Sequence, residues 1–285
     1  MSNNYHDQAE NLRKHFQDAE TKIITISGGK GGVGKSVFSV NISSELALRK
    51  NKVLLFDSDA GFANASILLG KTVKKTLSDY IDGKISIEDC VHETDSGVNV
   101  ISTGFDFKDW KLFQNNFNGT MAQEFLALAR KHDYVIIDTG AGYSDKLIHF
   151  YLASDKIFLV TVPEPTAIVN AYTLIKALSM LDVDSELDVI LNMITDKSEI
   201  RSVEEVLRKT VKNFLNKDIN NFYKFVHEKS IHESVKRQIP IVRYKENNAF
   251  SKNLKILVDD ITNNKRTKKL SFTERFKKII GIEVR

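Results

Sequence analysis

Apolar residues in this chain follow two alternating rhythms. Short runs rich in Val, Ile and Leu occur at 22–27, 53–57, 98–101, 134–138, 157–162 and 189–192. Runs of that length, flanked by polar residues, predict strands buried on both faces. Between and after them, residues 35–50, 122–130, 167–181, 203–214 and 254–261 return apolar side chains every three or four positions, the period of a helix with one buried face. Strands that alternate with helices make βαβ crossovers. The expected fold is therefore α/β, with three layers and a mostly parallel sheet.

The helical rhythm also appears at both ends. Tyr5, Ala9, Leu12, Phe16 and Ala19 are spaced 4, 3, 4 and 3 residues apart, which predicts an amphipathic helix ahead of the first strand. After a polar, basic stretch at 262–269, Phe272, Phe276, Ile279 and Ile280 fall on one helical face with Arg275, Lys277 and Lys278 beside them. Those nine residues would span only about 13 Å as a helix, far short of a bilayer. Apolar stripe and cationic flanks suit a helix lying on anionic lipid; docking on its own domain is the alternative. The organisation expected is an N-terminal helix (1–20), an α/β body (21–262), and a basic linker with a terminal helix (263–285).

Charge sharpens this division. The net charge of the 285 residues is +4, yet residues 265–285 carry eight Lys or Arg and two Glu, a net of +6, which leaves the rest near −2. A near-neutral body does not suit nucleic acid. The lone cysteine, Cys90, excludes a disulfide framework and an iron–sulfur cluster built on paired cysteines. No zinc-ligand spacing occurs among the seven histidines. With no leader pattern at the start, the reading is a cytoplasmic protein.

The candidate chemistry begins after the first strand. Gly29-Lys30-Gly31-Gly32-Val33-Gly34-Lys35-Ser36-Val37 follows a strand and opens a helix, with two glycines five apart and then Lys and Ser: the Walker A pattern. Glycines let backbone N–H groups close on phosphate oxygens, and the helix N-terminus adds partial positive charge. Lys35 supplies a full charge to the β- and γ-phosphates, and the Ser36 hydroxyl is placed for Mg²⁺. Asp57 and Asp59 follow the second strand, where carboxylates face the ligand crevice of a parallel sheet. Asp138 closes the run Tyr134-Val135-Ile136-Ile137, four apolar residues and then a carboxylate, as in a Walker B strand that holds the Mg²⁺ shell. Gly140 and Gly142 would let the following loop change conformation.

A plain phosphate loop has no need of Lys30, five residues before Lys35. With it the sequence resembles the deviant Walker A superfamily, the MinD and ParA ATPases. The resemblance implies ATP/ADP and Mg²⁺ as ligands and an ATP-dependent homodimer in which Lys30 reaches the partner's nucleotide. It makes Asp57-Ser58-Asp59 a switch in which Asp59 positions the attacking water and Asp57 supports Mg²⁺ or the loop. It makes Asn192 an adenine contact, with Glu228 and Pro240 near the base in an altered form of the family segment. Tyrosine kinases that share this loop carry a C-terminal tyrosine cluster, and no tyrosine follows Tyr244 here.

Within that superfamily, Asp7-Gln8-Ala9-Glu10-Asn11-Leu12-Arg13 resembles the DQAxxLR motif of the FlhG (FleN/YlxH) flagellar-number regulators. The resemblance implies that this segment activates an FlhF-type GTPase, with Gln8 entering the partner's site and Arg13 anchoring the helix, and that the terminal helix targets the inner face of the cell membrane. The rival readings are a MinD-type division-site ATPase, which has no use for Gln8, and a ParA-like DNA-partition ATPase, against which the charge of the body argues.

Overall fold

The computed structural model describes residues 21–58, 64–104, 120–142, 148–181, 183, 185–196 and 198–263. The terminal helices expected at 1–20 and 271–281 lie outside the described residues, as does Asp59.

Seven parallel strands and one antiparallel edge strand make a single sheet. In chain order they are β1 (Lys22–Ser27), β2 (Val53–Asp57), β3 (His92–Glu93), β4 (Val98–Ser102), β5 (Tyr134–Asp138), β6 (Lys156–Thr161), β7 (Glu186–Ile194) and β8 (Phe222–Val226). They lie side by side as β3-β4-β2-β5-β1-β6-β7-β8, with only the two-residue β3 antiparallel. The helices are α1 (Lys35–Leu48), α2 (Asn64–Leu68), α3 (Leu77–Ile81), α4 (Thr120–Ala129), α5 (Ile148–Ala153), α6 (Pro165–Met180), α7 (Ser198–Leu215), α8 (Lys229–Arg237), α9 (Ile241–Tyr244) and α10 (Ala249–Asn263). The mostly parallel α/β architecture is the expected one. Strand β7 runs well beyond the 189–192 expected, and β8, whose sequence Phe-Tyr-Lys-Phe-Val buries fully only Phe225, was not signalled by a continuous apolar run.

Alternation along the strands builds two cores. Leu54, Phe56, Val135, Ile137, Ile157 and Leu159 face α4 to α7, while Val53, Leu55, Ile136, Phe158 and Val160 face α1, α9 and α10. The parity carries on to the residues that follow. Asp57 and Asp138 lie opposite one another across β2 and β5, and both turn to the α1 face. Helix α1 is buried around most of its circumference. Its Phe38 ring meets Phe225 edge-on at 4.7 Å and Phe250 at 5.3 Å. Burying such a side chain contributes about 1.5–3 kcal/mol, and here it fixes the helix that carries Lys35 and Ser36.

Both flanks of the body meet the sheet at the start of β1. The Thr21 hydroxyl lies 2.9 Å from the His132 carbonyl and 3.1 Å from that of Ala129, and Lys22 Nζ donates to the Ile261 carbonyl near the end of α10 at 3.1 Å. A surface cavity of about 360 Å³ beside Asn51, Asn99, Lys131 and His132 opens at this same end, away from the phosphate loop. No helix among the described residues is long and apolar enough to cross a membrane.

Candidate nucleotide site

The loop from Gly28 to Gly34 leaves the C-terminal end of β1 and enters α1 through Gly34, whose φ of 101° is in the left-handed region that glycine adopts without penalty. Two other glycines are required by close approach. A Cβ on Gly28 would stand 2.7 Å from the Val160 carbonyl oxygen, and one on Gly29 would stand 2.5 Å from the Asn170 backbone. Gly31 and Gly32 differ: a Cβ on either would meet nothing within 4 Å. The inner side of the loop is therefore packed against β6 and α6, and its outer side is open. No side chain caps the start of α1, so its first-turn N–H groups are donors suited to an anion.

Lys35 is buried, with 8% exposure, and its side chain runs back past Gly28. Ser36 and Val37 follow in the first turn, each partly buried. One turn further, Ser39 Oγ lies 3.1 Å from the Lys35 carbonyl and 2.9 Å from Asp138 Oδ1. Its single proton favours the carboxylate, the stronger acceptor. Ser39 thus ties the phosphate-loop helix to the Walker B strand. The Asp138 carbonyl in turn accepts from the Ser58 hydroxyl at 2.7 Å, and Asp57 Oδ2 accepts the Ala65 N–H at 3.0 Å. Past Asp138, the Gly142 N–H donates to the Gly28 carbonyl at 2.8 Å, so the loop after β5 touches the root of the phosphate loop.

Lys30 stands on the outer side, where Nζ forms an ion pair with Glu164 Oε2 at 2.5 Å; the two side chains are 42% and 56% exposed. Asn192 ends the continuous buried run of β7, before the exposed Met193. Its Nδ2 donates to the Val33 carbonyl at 2.9 Å, which directs the amide NH₂ at the loop. Glu228 caps α8 by accepting from the Ser230 N–H at 3.1 Å, and Pro240 precedes α9. The structure therefore gathers Gly29 to Val37, Asp57, Asp138 and Asn192 around the C-terminal ends of β1, β2, β5 and β7. Asp59, Asp7, Gln8, Leu12, Arg13, Phe272, Phe276, Ile279 and Ile280 lie outside the described residues. Ser39 and Glu164 were not singled out from the sequence. Glu164 carried a usable signal, a carboxylate just past a buried strand and directly before a helix-initiating proline.

A phosphate loop on a parallel sheet, with carboxylates on the neighbouring strand ends and a second lysine in the loop, defines a MinD-like P-loop ATPase. A family model described as an AAA domain matches residues 21–191. The antiactivator FleN of Pseudomonas aeruginosa is 31% identical over 217 residues, covering 76% of this chain and 78% of that one. The flagellum site-determining protein YlxH of Helicobacter pylori is 33% identical over 220 residues, 74% of each. Among solved structures, the cell division ATPase MinD of Pyrococcus furiosus superposes with a TM-score of 0.70 at 25% identity, covering 85% of this chain and 98% of that one. The septum site-determining protein MinD of Pyrococcus horikoshii, complexed with Mg-ADP, gives 0.70 at 24%, covering 85% and 96%. The chain belongs to the FleN/YlxH (FlhG) family of MinD-like ATPases.

Proposed function

We propose that this ATPase binds Mg–ATP at the phosphate loop, dimerises on ATP, visits an anionic membrane surface, and regulates flagellar number or placement through an FlhF-type GTPase. The observation that carries the proposal is Lys30. It projects from the open side of the loop, half exposed and held by a surface ion pair, which is where a charge intended for a second copy's nucleotide has to stand.

The residues present fit the ligand. The open face at Gly31 and Gly32 leaves room for phosphates, the uncapped start of α1 supplies N–H donors, and Lys35 supplies the balancing charge. Among the described residues no three His, Cys, Asp or Glu side chains gather into a metal cage, and Mg²⁺ needs none, being held ordinarily by one or two carboxylates with water and phosphate. Ser36 and Asp138, supported by Asp57, would hold Mg²⁺, which neutralises phosphate charge when bound. In hydrolysis, water attacks the γ-phosphorus, the bond to the β-phosphate oxygen breaks, and ADP and phosphate leave. Asp59 positions that water, and Lys30 of the second copy stabilises the charge on the leaving oxygen.

Residues 1–20 are the partner-activating segment, 21–262 the ATPase body, and 263–285 the linker and membrane helix, which places the protein at the inner face of the cell membrane. The test is the GTPase rate of an FlhF-type partner with and without a peptide of residues 1–20. Stimulation that is lost in a Gln8→Ala peptide is expected. No stimulation would remove the FlhF-activating role proposed for residues 1–20, and capture of a MinC-type partner would then favour a division-site role.

A further inference from the structure

We infer that Asn192 is a positioning residue for the phosphate loop: by holding the Val33 carbonyl it fixes the Val33–Gly34 peptide plane, so that the Gly34 N–H faces the phosphates. The inference rests on the nucleotide reading of the loop and adds a role distinct from contact with the base.

The argument starts in β7. Leu191 and Ile194 both pack into the core on the α6 and α7 side, although strict alternation would put residues three apart on opposite faces. The pairing of β7 with β8 skips between these two residues, and Met193 takes a φ of 54°. This is a bulge, a device that re-aims side chains at the end of a strand. It leaves Met193 40% exposed and Asn192 only 4% exposed beneath the loop. There Nδ2 donates to the Val33 carbonyl at 2.9 Å, and it stands 2.6 Å from where a Cβ on Gly34 would be. The amide fills the space that glycine leaves.

A planar trans peptide points its C=O and the next N–H in opposite directions. With the Val33 carbonyl drawn inward to Asn192, the Gly34 N–H is turned outward to the ligand side. Gly34 has no Cβ to resist rotation of that plane, so the loop's own sequence leaves it adjustable and the side chain from β7 sets it. A buried carbonyl without its donor would turn to find another, and the outward N–H would be lost with it.

The experiment compares wild type with Asn192→Leu, which has similar volume and no donor, and with Asn192→Ala as a second variant if the larger side chain prevents folding. Affinities for ATP and for inorganic triphosphate, which has no base, are measured by calorimetry well below each variant's melting temperature. Loss of one charge-assisted hydrogen bond predicts that both affinities fall by the same factor, about 10- to 100-fold. A fall for ATP alone would make Asn192 a base contact and overturn the inference. A lower melting temperature with both affinities intact would make it a packing residue and also overturn it. Wild type binding neither ligand would remove the nucleotide reading itself, an outcome separate from any effect of the variants.

Discussion

Gly31 and Gly29 stand two residues apart in one loop, and alanine at each is expected to act in opposite ways. A methyl at Gly31 meets nothing within 4 Å, and Gly31 is not among the glycines with positive φ. Replacing a glycine at such a position restricts the unfolded chain and stabilises by about 0.4–1 kcal/mol. For a body of this size that raises the melting temperature by about 1–4 °C. The same methyl would stand in the space proposed for phosphate, so ATP affinity should fall at least about tenfold, or about 1.4 kcal/mol. At Gly29 the methyl would lie 2.5 Å from the Asn170 backbone, which has no side-chain freedom with which to yield. Overpacking of this kind costs about 1–3 kcal/mol and lowers the melting temperature by several degrees. Thermal melts without nucleotide and calorimetry with ATP read the two effects separately. A Gly31→Ala protein that melts higher and binds ATP as wild type does would refute the assignment of the open face to phosphate.

Lys30→Ala is expected to bind ATP and fail to dimerise on it; the ion pair with Glu164 is a surface one, about 0–1 kcal/mol, so the melt should barely move, and an unchanged ATP dimer in gel filtration would end the in-trans role. His132 gives a pH prediction. Its Nδ1 lies 3.0 Å from the Leu128 carbonyl and its Nε2 3.0 Å from Asn99 Nδ2, an arrangement that suits the neutral ring, and burial holds it below its ordinary value of 6.5. The unfolded chain therefore takes up its proton first as pH falls, so stability is full above about 6.5 and declines below it; urea midpoints across pH 5–8 should show that slope, and His132→Gln should flatten it. Deleting residues 270–285 should leave ATP binding intact and abolish sedimentation with anionic liposomes. Four apolar side chains at up to about 1.5–3 kcal/mol each set the scale for one copy; an ATP dimer would carry two, so ATP should strengthen liposome binding through avidity, and equal binding of the full chain with ATP and ADP would refute that.

What was legible in the sequence was local. The order strand, glycine loop, helix reads directly because Gly29, Gly34, Lys35 and Ser36 fall within eight consecutive residues, and Asp138 reads because four apolar residues precede it. That Asp57 lies beside Asp138 was not legible: it follows from β2 pairing with β5, a matter of strand order that no local pattern encodes. The same holds for Lys30 and Glu164, which meet because β1 pairs with β6. Asn192 was visible as a polar end to an apolar run, but its partner was not, because the bulge at Met193 leaves no mark in a Leu-Asn-Met-Ile sequence. Strand β8 escaped because an edge strand with a central lysine lacks the continuous apolar run of a buried one.

Thr21 holds the N-terminal flank against Ala129 and His132, and Lys22 reaches the carbonyl of Ile261 as α10 ends. Residues 1–20 and 264–285 therefore attach at one corner of the molecule, about 20 Å from the phosphate loop along the six residues of β1. Under the proposed function, a GTPase held by the first segment and a lipid surface held by the second would both be anchored at that corner. The local concentration of that partner at the membrane would then be set by the two segments together, and lengthening either one would dilute it without touching the ATPase.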